Sequence, residues 1–511
     1  MRIRAWFLPL LLIGALSACS SSNVVTTQAP QLAEAGPSFA SDIQPLLQNK
    51  FGFLASLEPG LRFNSYETLL QGSDNGQVLI PFDADRSPLV QYAEKENSGV
   101  SAAEVQVLRS WIDAGARGDD GAVPFADATN LLYVCNQYEA AISVIHMDRN
   151  QVIRTVYLSE FGYDKNASPH HTAVSSDGAH WYVSLIGASK VLKFNRQNEL
   201  VGTADFETPG MLAMAPGDET LYVARSMMAV NPPQRIGMIE VDGMKAEELD
   251  VFFARPHALA MQPDGEVVYT ASLAENRIAA LRPAEEEIEL VSVDGPTQTF
   301  VQFAVSPDGS RMMAGGEISG QVIFFDTSTP DQPKEIKRVD VGSRPWHPVY
   351  SPDGKYVYFG NQGENTVTVM DAEAMTIHKV IENDGFAEPH GIAIRPDGRY
   401  LYVANRNLKG TYEPRINRTA MATKTMDHST MDHSTMDHSN MDHSQMDHGD
   451  KENEGMDHST MDHGGMDHGG MKMERSGLGG TIVVIDTQTM DVARVLEVGE
   501  YPSGMSRAAW R

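Results

Sequence analysis

Cysteine is almost missing from this chain: 511 residues carry two, Cys19 and Cys135, so disulfides cannot frame the fold. Basic residues are also scarce, 40 Lys and Arg against 68 Asp and Glu, and the formal charge of -28 repels phosphate backbones. Nucleic acid is thereby removed from the expected partners. Past the opening segment, no window approaches the ~20 uninterrupted apolar residues that a membrane helix needs. Between residues 37 and 119 there is neither Cys nor His, which excludes covalent haem in that stretch. No spacing matches Ser-His-Asp catalysis or a phosphate loop. Cys135 sits in the apolar run Leu131-Leu132-Tyr133-Val134 and reads as a buried strand thiol, not a nucleophile.

What is present begins with Met1-Arg2-Ile3-Arg4, an apolar run from Ala5 to Leu16, and small residues before Cys19. A charged start, a short apolar segment and a small-residue cut describe an export signal over residues 1–19. The ending Leu16-Ser17-Ala18-Cys19 resembles the lipobox of bacterial lipoproteins, which implies lipidation of Cys19 and membrane contact through that anchor alone. An ordinary cleaved signal with an incidental Cys is the competing reading. By the same resemblance, Ser20 in place of Asp favours the outer membrane, facing the periplasm. Residues 20–36 are rich in Ser, Thr, Gln, Ala and Pro without periodicity, as expected of a flexible tether.

Residues 37–119 show short helical patterns. In the clearest, Ser101 stands at an N-cap, apolar residues follow at helical spacing, and Gly115 stops the helix. The phrases Ile43-Gln44-Pro45-Leu46-Leu47, Gly60-Leu61-Arg62-Phe63, Ser87-Pro88-Leu89-Val90 and Trp111-Ile112-Asp113-Ala114-Gly115-Ala116 resemble planctomycete-type cytochrome c domains. That family carries Cys-x-x-Cys-His where this chain has Phe51-Gly52-Phe53-Leu54-Ala55. The resemblance therefore implies a haem-less domain, with Phe51, Phe53 and Leu54 filling the space.

From residue 129 onward the chain repeats. Ala173-Val174-Ser175-Ser176-Asp177-Gly178, Ala260-Met261-Gln262-Pro263-Asp264-Gly265, Ala304-Val305-Ser306-Pro307-Asp308-Gly309, Val349-Tyr350-Ser351-Pro352-Asp353-Gly354 and Ala393-Ile394-Arg395-Pro396-Asp397-Gly398 recur, with a degenerate copy ending at Asp218. Each supplies turn chemistry between two apolar strands, and a period of about 40 to 50 residues points to a propeller or solenoid. Two further strands follow each turn, so each repeat reads as one four-stranded blade. Blade starts near 129, 168, 208, 255, 300, 344 and 388 predict seven blades over 129–511. The first lacks its innermost strand and the segment from Tyr501 to Ser506 begins one with nothing after it, so the C-terminal strand is expected to close the ring. Leu132-Tyr133-Val134-Cys135-Asn136, Val357-Tyr358-Phe359-Gly360-Asn361 and Leu401-Tyr402-Val403-Ala404-Asn405 resemble the Tyr-Val-Thr-Asn repeat propellers. The fold class expected is mainly β, a seven-bladed β-propeller with a small N-terminal α domain.

An insert over 410–478 interrupts blade seven. It holds eight triplets: Met426-Asp427-His428, Met431-Asp432-His433, Met436-Asp437-His438, Met441-Asp442-His443, Met446-Asp447-His448, Met456-Asp457-His458, Met461-Asp462-His463 and Met466-Asp467-His468. A five-residue period builds no helical face, so disorder without a ligand is expected. Thioether suits Cu(I), while imidazole with carboxylate suits Cu(II), Ni(II) or Zn(II), so the mixture can follow copper through both oxidation states. The tract resembles the Met-Asp-His-Ser repeats of periplasmic copper-resistance proteins. A solvated spacer lengthened by repeat slippage is the competing reading.

Histidines also open the innermost strands: His170 and His171 after Pro169, then His257, His347 and His390. Equivalent positions in successive blades face one mouth of a propeller's channel, where these rings could bind a metal or cofactor or make structural hydrogen bonds. Gly210 and Gln302 stand at the corresponding places of blades three and five. The leading expectation is a non-enzymatic envelope lipoprotein that binds copper through the tract while the propeller holds an envelope protein partner. The alternatives are an oxidoreductase or electron-transfer propeller with copper or haem in the channel, and an interaction scaffold alone.

Overall fold

The computed structural model describes residues 36–415 and 476–507. Its strands form seven four-stranded antiparallel sheets, the blades of one propeller. Blade six shows the plan: Pro345–Tyr350, Tyr356–Asn361, Thr366–Asp371 and Thr376–Glu382 run from hub to rim in chain order. Alternating β-branched and aromatic residues fill the middle strands, which are buried on both faces between neighbouring blades. The Asp-Gly turns between first and second strands place glycine at positive φ, for example Gly309 at 73° and Gly354 at 72°, where a Cβ would be strained.

Blade one is assembled from both ends of the propeller segment. Its strands Leu131–Asn136, Ala141–His146 and Gln151–Tyr157 receive Pro502–Arg507 as the innermost member, with Tyr133 opposite Ser506 and Val134 opposite Met505. This closes the ring as expected and leaves blade one with no unpaired inner edge. Between blades one and two, Tyr133, Trp181 and Phe194 stack at ring separations of 4.8 and 4.3 Å. Such aromatic pairs add roughly 0.5–1.5 kcal/mol each beyond area burial.

The N-terminal segment is helical, with a π-turn at Phe39–Ile43 and helices Gln44–Lys50, Leu54–Leu57, Tyr66–Leu70, Pro88–Ala93 and Ala102–Asp113. Ser101 Oγ accepts from the Glu104 N–H, and the Glu104 carboxylate accepts the Ser101 N–H at 2.8 Å. That reciprocal cap sets the start of the last helix. Phe51, Leu54, Leu89, Leu108 and Trp111 are fully buried in one core, and the Phe53 ring packs on Phe51. The segment docks on the outermost strand of blade one. Val152 N–H donates to Gln77 Oε1, Tyr157 OH donates to Asp83, and the Arg154 guanidinium lies 4.2 Å from the centre of the Phe82 ring. Among the described residues no helix is long and apolar enough to cross a membrane.

Candidate functional site

Cys19 and all eight Met-Asp-His triplets lie outside the described residues. The histidines at the strand starts are described, and the fold brings them together by a device repeated in every blade. The residue before each inner strand, Ser168, Thr208, Arg255, Thr299, Arg344, Glu388 or Tyr501, has φ between 43° and 61°. Its carbonyl accepts the N–H of the residue that follows the second strand, at 2.8–3.2 Å in all seven blades. A proline then follows in six blades, pre-setting φ, with Phe300 in the seventh. Each inner strand also bulges within its first residues, as between Pro169 and Thr172 or between Trp346 and Val349. A bulge re-aims side chains that plain alternation would separate, so residues at two successive positions reach the same mouth.

This alignment corrects one expectation. His170, His257 and His390 occupy the second strand position, which in blade six belongs to Trp346 and in blade five to Val301. His347 and Gln302 stand one residue later, level with His171. The proline run had concealed the offset, because Trp346 intervenes between Pro345 and His347.

The five imidazoles are buried, with exposures of 1% at His257, 2% at His390, 5% at His347, 6% at His170 and 8% at His171. Four form a continuous row. Ring centres are 6.0 Å apart for His257 and His170, 6.2 Å for His170 and His390, and 4.8 Å for His390 and His347. His257 Nδ1 lies 2.7 Å from the Arg225 carbonyl and can only donate to it, which leaves the lone pair on Nε2. His170 Nδ1 lies a looser 3.4 Å from Gln137 Oε1. Nε2 of His170, His257 and His347 and Nδ1 of His390 have no hydrogen-bond partner among the described residues. His171 differs: its Nδ1 accepts from the Leu212 N–H at 3.3 Å, stapling blade two to blade three.

Burial is the main reason that these rings stay neutral. It holds His171 and His257 at about 4 and His170, His347 and His390 well below the usual imidazole range, with neighbouring histidines adding to the effect on all but His257, where Arg255 does so. The Arg406 charge pushes the same way on His170, His347 and His390. Neutral imidazoles with free lone pairs can accept hydrogen bonds or ligate a soft or borderline cation. As the side chains stand, no group of three or more His, Cys, Asp or Glu among the described residues is arranged to hold a metal ion.

Sequence reasoning missed Trp346, Arg406 and Tyr501, which complete the mouth. The Trp346 ring lies tilted with its centre 4.5 Å from that of His390, and Arg406 lies 5.7 Å from Trp346 and 5.0 Å from Tyr501, donating to the Tyr501 hydroxyl. The signal was positional: each occupies a strand-start or strand-end position shared by every blade. Arg406 also opens the segment that leads to the triplets. Beyond it, Asn407 Nδ2 donates to the carbonyls of Tyr412 and Gly479, and the Ser476 hydroxyl donates to the Asn407 carbonyl. Arg415 pairs with the buried carboxylates of Glu58 and Glu497. Both described ends of the insert are thus clasped at one point. Cys135 is fully buried, and burial pushes its thiol well up, which removes it as a nucleophile.

A family model described as "Lactonase, 7-bladed beta-propeller" matches residues 201–430. No curated protein matches the chain. Among solved structures, a protein of unknown function from Desulfotomaculum acetoxidans is 13% identical over 75% of this chain and 100% of its own, with a TM-score of 0.53. Kuenenia stuttgartiensis hydrazine synthase is 22% identical over 47% of this chain and 74% of that one, at a TM-score of 0.41. A Bacteroides fragilis protein described as a candidate 6-phosphogluconolactonase is 18% identical over 55% and 88%, at 0.43. At these identities a structural likeness speaks for fold and not for activity. The chain is, at this level, a mainly β, seven-bladed propeller with a small N-terminal helical region.

Proposed function

We propose that this chain is a periplasm-facing envelope lipoprotein that binds copper, or a similar soft metal, through its Met-Asp-His tract, with the propeller as the scaffold that holds a protein partner in metal handling. The observation that carries the reading is the tract itself: eight copies of thioether, carboxylate and imidazole within three residues. Clasping of both insert ends by Asn407 and Arg415 supports it, because a ligand-rich segment so anchored keeps its cargo beside the propeller. The lipobox-like Leu16-Ser17-Ala18-Cys19 supports the envelope location.

Titration of the full chain with Cu(I) under argon and with Cu(II) in air tests this. Several equivalents are expected on the native chain, and most should vanish when every triplet Met and His is replaced by Ser. Equal uptake by both proteins overturns the tract's role. Acid release from a sugar lactone by the purified chain would replace the binding reading with a hydrolytic one.

A further inference from the structure

Four imidazoles in one row at the hub, each with a ring nitrogen that has no partner among the described residues, are more than a propeller needs for its own cohesion. Buried polar atoms are nearly always satisfied, and each exception calls for an explanation. Such exceptions occur at several places among the described residues, but six of them belong to residues of this one mouth, His170, His257, His347 and His390 with Trp346 and Arg406. His171 shows what the structural alternative looks like, since its ring nitrogen is used to join two blades. The other four are not spent in that way.

We infer that the hub row of His170, His257, His347 and His390 is a binding site for a cuprous ion, held by two of these imidazoles with a third in reach. This goes beyond the tract reading and does not rest on it. An imidazole nitrogen binds a metal at about 2.0 Å and lies about 1.1 Å from its own ring centre, so two rings sharing an ion have centres roughly 5 to 6 Å apart. His170 stands 6.0 Å from His257 and 6.2 Å from His390, which matches that span on both sides.

Three features select Cu(I) over its competitors. First, the rings form a row and not a cage, so no point has three donors around it as they stand. Zn(II) takes four ligands in a tetrahedron and Cu(II) a tetragonal set, whereas a d¹⁰ monovalent ion is content with two or three. Second, Arg406 already places one positive charge beside His390, and a dication would pay more for that neighbour than a monocation. Third, the Arg225 carbonyl takes the Nδ1 proton of His257, fixing the lone pair on Nε2 as outer partners of metal-ligating histidines do.

The test uses the full chain with all triplet Met and His replaced by Ser, so that only the hub can answer. Cu(I) is added under argon against a colorimetric Cu(I) chelator. One equivalent should remain bound, and its X-ray absorption should show nitrogen in the first shell. In this background His170→Asn and His390→Asn should each weaken binding at least tenfold, while His171→Asn should leave it unchanged. Loss of all Cu(I) from the tract-replaced chain overturns the inference, as does undiminished binding by a His170→Asn protein. A first shell without nitrogen, or displacement of Cu(I) by equimolar Zn(II), overturns it even if the hub variants fail to fold. A silent tract with a retained hub ion would sink the tract reading alone, so the two fail separately.

Discussion

Blade one and blade four are built on the same four-strand plan, yet their outermost strands live in different surroundings. In blade four the rim strand Glu287–Ser292 is mostly exposed, with only Ile288 and Val291 half-buried and Leu290 41% exposed. In blade one the rim strand Gln151–Tyr157 is buried along most of its length, because the helical segment lies over it. Blade four is also a single continuous stretch, 256–292, whereas blade one joins strands from both ends of the propeller segment. The difference teaches that cohesion is concentrated at blade one. There the ring closes, the helical segment docks and Leu496 of blade seven meets Ile80 and Val152 in a single apolar cluster.

The strongest way to break that contrast is to remove the closing strand. A chain ending at Glu500 loses Pro502–Arg507, and with it the pairing to blade one and the hydroxyl bonds from Ser503 and Ser506 to the His170 and Thr172 carbonyls. It also exposes the inner edge of Leu131–Asn136 as a template for aggregation. The truncated chain should aggregate or melt without a cooperative transition; a melt within a few degrees of the native one would show that blade one does not depend on its fourth strand.

A smaller effect is expected from Ile80→Asp. Ile80 is almost fully buried at the junction of helical segment, blade one and blade seven. An unpaired carboxylate there costs about 3–5 kcal/mol if it stays buried, so undocking of the segment is the cheaper outcome. Hydrogen exchange followed by mass spectrometry should then show faster exchange over 151–157, with 287–292 unchanged. Uniform acceleration through all blades would mean that the segment is not a separable cover.

How much of this was legible in the chain depends on whether the cause is local. The Asp-Gly turns and the Tyr-Val phrases mark blades because each needs only its own few residues, and closure could be read because Tyr501-Pro502 repeats Glu388-Pro389. The offset of His347 is written in the chain, since Trp346 stands between it and Pro345 whereas His257 and His390 follow their prolines directly, and the bulge shared by the inner strands does not create it. What was not legible is the membership of Arg406 and Trp346 in the mouth, which follows from the joining of strand ends more than forty residues apart in sequence. The docking of the helical segment was hidden for a related reason. Val152 and Val156 fit a half-exposed rim strand as well as a covered one, and only tertiary packing decides between them. The triplets and Cys19 were read from chemistry alone and fall outside the described residues.

The finest test of the contrast is a single hydrogen bond. Gln77 Oε1 accepts the buried N–H of Val152 at 3.2 Å, so that a side chain of the helical segment satisfies the backbone of the blade-one rim. Gln77→Ala removes the acceptor and leaves that N–H without a partner, a loss of about 1–3 kcal/mol. A rim substitution in blade four such as Leu290→Ala deletes more atoms, but from a position still open to water, and should cost under about 0.5 kcal/mol. Chemical denaturation of both variants orders the two values. If Leu290→Ala proves the more destabilising, the helical cover is not what distinguishes the two rims, and the cohesion at blade one must come from strand closure alone.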